Sequence, residues 1–245
     1  MNSTPIAGRE AEVIDAVTDR DLIVFGPREL ERFLGVSTRN AYRILSSMAS
    51  KGLVTRLARG TYVLAETYAT HDSYAIAAHL EPASYIGFWS ALHFHGLTEQ
   101  VPRTIFVAVT KQKRPVEIQG QTVRFVRVAP ATFFGYDRYG DVVASDPEKT
   151  LLDCLRVQDY AGGIELVYEA IPEDLDVDRV IRYAERLDSG AVAARLGYLL
   201  ERKGLLTEPS RLQALCSTYT PLDQSGPETN PVADWNLYAN VTLND

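Results

Sequence analysis

Cysteine is scarce in this chain of 245 residues, which has only Cys154 and Cys216. They lie far apart, each in an apolar helical stretch, so they read as reduced core residues of a cytosolic protein and not as a disulfide pair. Neither has a second ligand at finger spacing, so no zinc site and no other metal or cofactor is expected. There is no run of roughly eighteen apolar residues, and hence no expected membrane span. The opening MNSTPIAGREAEV lacks a basic start followed by an apolar core, which argues against a secretory signal. Internal repeats and low-complexity segments are absent as well. What remains is an ordinary globular composition, 46% hydrophobic and 23% charged, with a net charge of −7 and enough length for two domains.

The most informative stretch is FGPRELERFLGVSTRNAYRILSSMASKGLVTRLARGTYVL, Phe25 to Leu64. Pro27 suits the first turn of a helix, where its missing N–H costs nothing, and Leu30, Phe33 and Leu34 give that helix one apolar face. Gly35 can end it with a positive φ, Val36 plugs the turn, and Ser37 is a good N-cap for a second helix. There Ala41, Ile44, Leu45 and Met48 form a buried stripe, while Arg39, Asn40, Arg43, Ser46 and Ser47 occupy the opposite face. Gly52 closes that helix. Leu53 to Leu57 and Thr61 to Leu64 alternate as strands about the turn Ala58-Arg59-Gly60. Helix, turn, helix and ribbon in this order describe a winged helix-turn-helix, whose second helix enters the major groove of double-stranded DNA.

A helical hairpin that serves only as a packing unit, or as an adaptor for another protein, would show much of the same pattern. Charge separates the two readings. Between Gly26 and Ala65 stand seven Lys or Arg against two acids, a balance of +5 in a chain of −7. A basic island in an acidic protein is the footprint of a phosphate-binding face. Arg39, Asn40 and Arg43 are therefore expected to read bases. Ser37, Thr38 and Ser47 would position the helix on phosphates, Lys51 and Arg56 would add phosphate contacts, and Arg59 would meet backbone or minor groove at the wing tip.

Upstream, Ala11, Val13, Ile14 and Val17 predict a helix near residues 8–18, and Leu22 to Phe25 a short strand pairing with the wing. A first domain of residues 1–68 ends where Glu66 to Asp72 turns polar, and residues 69–245 form the second. In it, Ser73 to Leu80 and Ser84 to His95 read as helices. Thr104 to Thr110, Thr122 to Val128 and Val142 to Ser145 read as strands. Asp146 caps a helix with Pro147 first, Glu148 in its first turn and Leu151, Leu152, Cys154 and Leu155 on its apolar face. After Gly162-Gly163 the pattern is helical: Ile164 to Ile171, Val177 to Leu187, Gly190 to Lys203 and Ser210 to Cys216. The closing stretch is extended, and Trp235, Leu237, Tyr238 and Val241 need burial, so it should dock on its own domain. The fold class expected is α+β, a winged helix-turn-helix followed by a mixed α/β domain with a helical C-terminal half.

Other candidate sites have plainer readings. His93 and His95 have no third ligand at a convincing spacing and suit a helix C-terminus. Gly162-Gly163 followed by Asp174 and Asp176 resembles the glycine pair and metal-binding carboxylates of nucleotidyltransferases, but Val177, Val180 and Ile181 continue at helical period where a strand is needed. An acidic helix start accounts for them without catalysis. Lys111-Gln112-Lys113-Arg114 follows a strand and reads as a solvated loop, with a phosphate contact or an acidic partner as the alternatives. From Glu66 onward there are 16 basic against 25 acidic residues, a poor balance for DNA.

YIGFWSALHFHGLTEQVPRTIFVAV (Tyr85 to Val109), VVASDPEKTLLDCL (Val142 to Leu155), AARLGYLLERKG (Ala193 to Gly204) and WNLYANV (Trp235 to Val241) together resemble the AbiEi family of abortive-infection antitoxins. That resemblance covers almost the whole chain. It implies a non-enzymatic cytoplasmic protein whose N-terminal domain represses its own operon, at an operator of inverted repeats suited to a homodimer. It also implies a C-terminal domain that counteracts a nucleotidyltransferase toxin in antiviral defence.

Overall fold

The computed structural model describes residues 8–243. Residues 1–7, which include most of the stretch read for a signal sequence, and residues 244–245 lie outside them.

The head is built as its sequence periods require. Helix α1 (Gly8–Thr18), α2 (Pro27–Leu34) and α3 (Thr38–Ser50) pack against a ribbon of β1 (Val54–Ala58) and β2 (Thr61–Leu64). Val13, Val17, Phe25, Leu30, Ala41, Leu45, Met48 and Tyr62 make its core. Leu22–Phe25 does not form a full strand: Phe25 alone bridges the wing, exchanging N–H···O bonds of 2.9 and 2.8 Å with Tyr62.

The expected polar boundary at Glu66–Asp72 is instead a helix, α4 (Ala65–Thr70), which runs straight on from the wing and is followed by α5 (Ser73–Ala78). The body then lays down β3 (Ser84–Ile86), α6 (Phe88–Phe94), β4 (Thr104–Val109), β5 (Val116–Ile118), β6 (Gln121–Arg127), β7 (Tyr136–Tyr139) and β8 (Val142–Ser145). These strands form one mixed sheet in the order β5-β6-β4-β3-β8-β7. Ser84–Ile86, expected to be helical, is a central strand because Ile86 finds partners on both sides, Val107 and Ala144. Pairing in the sheet overrides a local pattern that continues smoothly into α6.

On β4, Phe106 and Ala108 face one core while Ile105, Val107 and Val109 face another. That explains why Ile105 to Val109 is apolar throughout, since a strand covered on both faces shows no alternation. The first face carries the helices α7 (Pro147–Arg156), α8 (Ile164–Glu169), α9 (Val177–Leu187), α10 (Gly190–Arg202) and α11 (Pro209–Gln213). The second carries α5 and, from the head, Ile23, with Val24, Leu57 and Tyr68 packed beside it. Head and body therefore share a core across the boundary expected at residue 68.

The C-terminal arm docks on its own domain, as its aromatics require. Strands β9 (Thr220–Pro221), β10 (Pro231–Val232) and β11 (Leu237–Tyr238) form a small sheet in the order β10-β11-β9. Trp235 is fully buried and lies against Gly197 of α10, where a Cβ would come within 2.0 Å of the indole. Its Nε1 donates to Glu201 at 2.8 Å, and the buried Arg195 donates to Thr220 Oγ1 and the Pro221 carbonyl, both at 3.0 Å.

Asp146 caps α7 by accepting from the Lys149 N–H at 2.7 Å, with Pro147 in the first turn. The apolar face is buried as expected, but so are Lys149 and Asp153 one turn apart, their Nζ and Oδ1 2.5 Å from each other and both side chains at 0% exposure. Tyr85 donates to the other carboxylate oxygen at 3.0 Å. Burial lowers the pKa of Lys149, opposed by the Asp153 charge, and raises that of the Tyr85 hydroxyl far above its usual value. Asp153→Ala would leave an ammonium buried without its partner. It should cost about 3–5 kcal/mol by denaturant unfolding, and the double change Lys149→Met, Asp153→Leu should recover most of that loss.

Candidate nucleic-acid interface

Helix α3 starts where Ser37 Oγ accepts the Asn40 N–H at 3.4 Å, and Gly35 at φ 62° ends α2 by donating to Glu31 O at 3.1 Å. The buried stripe of α3 is Ala41, Leu45 and Met48 at 0% exposure, with Ile44 half-buried beside them. Thr38, Arg39, Asn40, Tyr42, Arg43 and Ser46 are all exposed. At three- and four-residue spacing, Arg39, Arg43 and Ser46 form the ridge opposite the core.

The flanks of that ridge differ. On one side Tyr42, Ser46, Arg56 and Arg59 line a groove between α3 and the wing, and near the wing tip Thr38, Arg28 and Arg59 line a second hollow together with Glu29 and Glu31. On the other side Asn40, Arg43 and Ser47 border α1. There Glu10, 3% exposed, accepts from Ser47 Oγ at 2.8 Å and from Lys51 Nζ at 2.7 Å. Ser47 and Lys51, both expected at phosphates, are thus placed against a carboxylate of α1 and only partly exposed.

The wing is fixed at its tip. Gly60 takes φ 76°, and its carbonyl lies over the start of α2, where a Cβ on Gly26 would stand 2.2 Å from it. The Gly26 N–H is held by Glu29 Oε2 at 2.9 Å. Arg56 folds back to donate to Ala58 O at 3.2 Å, and Arg59 projects at the turn, exposed. Ala58 pairs with Thr61 after a register shift, so the loop is the two residues Arg59-Gly60 and Ala58 belongs to the strand.

All nine sequence-selected residues thus lie on α3, its cap or the wing, and α3 and the wing enclose one groove. Sequence reading passed over Tyr42, Arg28 and Glu10. The first sits on the flank of the amphipathic pattern, next to the wing only in three dimensions. The last looks like one more acid on an acidic helix, and nothing local marks it as buried.

The other candidates resolve differently. Asp176 caps α9 by accepting from the Arg179 N–H at 2.9 Å, and Asp174 is exposed in the preceding loop; neither stands on a strand. His95 Nε2 lies 2.6 Å from the Ser145 carbonyl at the end of α6. Among the described residues no three His, Cys, Asp or Glu gather as a metal site would need, and no helix is long and apolar enough to cross a membrane. Cys154 and Cys216 are both free thiols.

Gly26→Ala should lift the wing off α2. A loss of about 1–3 kcal/mol in stability is expected, because the obstructing atom is backbone. Thermal melting measures it, and a wild-type melting curve would contradict the packing described.

Residues 13–65 match a family model described as "Transcriptional regulator, AbiEi antitoxin", and residues 85–202 match one described as "AbiEi antitoxin C-terminal domain". Both describe regulator and antitoxin domains, not an enzyme. No curated protein matches the chain. Among solved structures, the Rv2827c protein from Mycobacterium tuberculosis shares the fold, with a TM-score of 0.55 and 16% identity over 95% of this chain and 92% of that one.

Proposed function

The chain belongs to the AbiEi antitoxin family, and we propose that it represses its own operon by binding operator DNA and serves as the antitoxin to a nucleotidyltransferase toxin encoded beside it, in defence against phage. The observation that carries the DNA-binding half is the ridge of Arg39, Arg43 and Ser46, fully presented on a helix whose opposite side is anchored in the core. In this reading Arg39, Asn40 and Arg43 address base edges, Ser37 and Thr38 set the helix start on a phosphate, and Arg56 and Arg59 follow the backbone from the wing. Ser47 and Lys51 act through Glu10, fixing the pitch of α3 against α1. Arg28, at the start of α2, lies where the first helix of such a motif crosses the backbone. An operator of inverted repeats would take two copies, one on each half-site. The antitoxin half rests on the match of the body to the family's C-terminal domain.

Two substitutions test the DNA-binding half by mobility shift on the protein's own upstream region. Arg43→Ala should cost about 1–3 kcal/mol on the operator and much less on random duplex. Arg59→Ala should weaken both alike and reduce the slope of log K against log salt by about one unit. Equal losses from Arg43→Ala on both duplexes would make it a phosphate contact and move the reading face elsewhere. If the wild type does not shift the upstream region, the repressor reading falls.

A further inference from the structure

We propose that the body supplies a second phosphate-contacting element, the loop of residues 110–115 between β4 and β5, which extends the wing's basic edge through Lys111 and Arg114. The proposal rests on the reading of the head as a DNA binder and adds a contact that the charge of the body would not suggest.

Placement is the first argument. Strand β5 lies beside β1 of the wing, and Val116 packs on the same buried cluster as Leu57, which sits between Arg56 and Ala58. Just past the far end of β5, Gln119 donates through Nε2 to the carbonyls of Tyr68 and His71 at 2.6 and 2.9 Å. Both belong to or follow α4, which leaves the wing at its base, next to Leu64. The Gln119 end of β5 is thus tied to α4, and the basic loop leads into the other end of the strand, which lies beside β1 of the wing.

Rigidity is the second argument. Ile23 is buried in the body's core with Leu57 and Tyr68 packed against it, so β4 and β5, which carry the loop at their ends, keep a fixed position relative to α3. Charge is the third. Lys111, Gln112, Lys113 and Arg114 are all exposed, in a portion of the chain where acids outnumber bases 25 to 16. Lys113 pairs with Glu81, which ties down the middle of the loop. Among the described residues no acid pairs with Lys111 or Arg114. Two cations on an irregular loop, with no helix or strand to enter a groove, suit phosphate oxygens and carry no sequence information.

The test is the full-length double variant Lys111→Ala, Arg114→Ala, with affinities for the upstream duplex and a random duplex measured across a salt series. Each lost phosphate contact lowers the slope of log K against log salt by about 0.9, so a fall of roughly 1.8 is expected, with the ratio of specific to random affinity unchanged. Both residues are exposed, so the variant should melt as wild type. A wild-type slope would overturn the proposal and leave the loop to an acidic protein partner. Should Arg59→Ala lower the slope while the loop variant does not, only this proposal falls; should the wild type bind no duplex, both readings fall.

Discussion

Ile23 and Phe25 stand two residues apart and belong to different cores. Phe25 is buried in the head and bridges the wing through Tyr62, while Ile23 is buried against the body's sheet beside α5. This short segment ties three things together: the wing to the helical part of the head, and the head to the body. Each apolar side chain buried there contributes about 1.5–3 kcal/mol, and exposing either would open a different core. The rest depends on that constraint, because the exposed face of α3 has a fixed direction only in a frame that holds it.

Within the frame, α3 is positioned by three kinds of interaction. Its apolar stripe sets which face is hidden. The Glu10 carboxylate, holding Ser47 and Lys51, sets its rotation against α1. The contact of Gly60 with Gly26 brings the wing down beside it, so that Arg56, Arg59 and Tyr42 line one groove. Hydrogen bonds to a charged group contribute about 1.5–3 kcal/mol each when well made, so the Glu10 carboxylate is a firm link between α1 and α3. Helix and wing are thus set before any partner arrives, and the ordering that remains is that of the exposed arginine side chains themselves.

How much of this could be read from the sequence follows from where the determinants lie. The winged motif was legible because its signals are local: Pro27 at a helix start, Gly35 and Gly60 at positive φ, Ser37 at a cap, and a three-four stripe. Asp146 and Pro147 announced α7 for the same reason. Ser84–Ile86 was misread because its strand character comes from Val107 and Ala144, distant in sequence. The polar run Glu66 to Asp72 hid α4, which has no fully buried residue and meets the body's core through the half-buried Tyr68, a contact distant in sequence. The burial of Lys149 and Asp153 left no trace in periodicity, since charged residues one turn apart on a helix usually mark its solvated side. The role of Glu10 was hidden in the same manner.

Under the proposed function, the exposed face of α3 reads DNA sequence. The most direct measurement is fluorescence anisotropy of the variant carrying Arg39→Ala, Asn40→Ala and Arg43→Ala, on the upstream duplex and on random DNA. Circular dichroism and melting should match wild type, because Ala41, Leu45 and Met48 are untouched. Preference for the upstream duplex should disappear while salt-sensitive binding to random DNA persists through the wing. A variant that keeps the wild-type preference would contradict that reading.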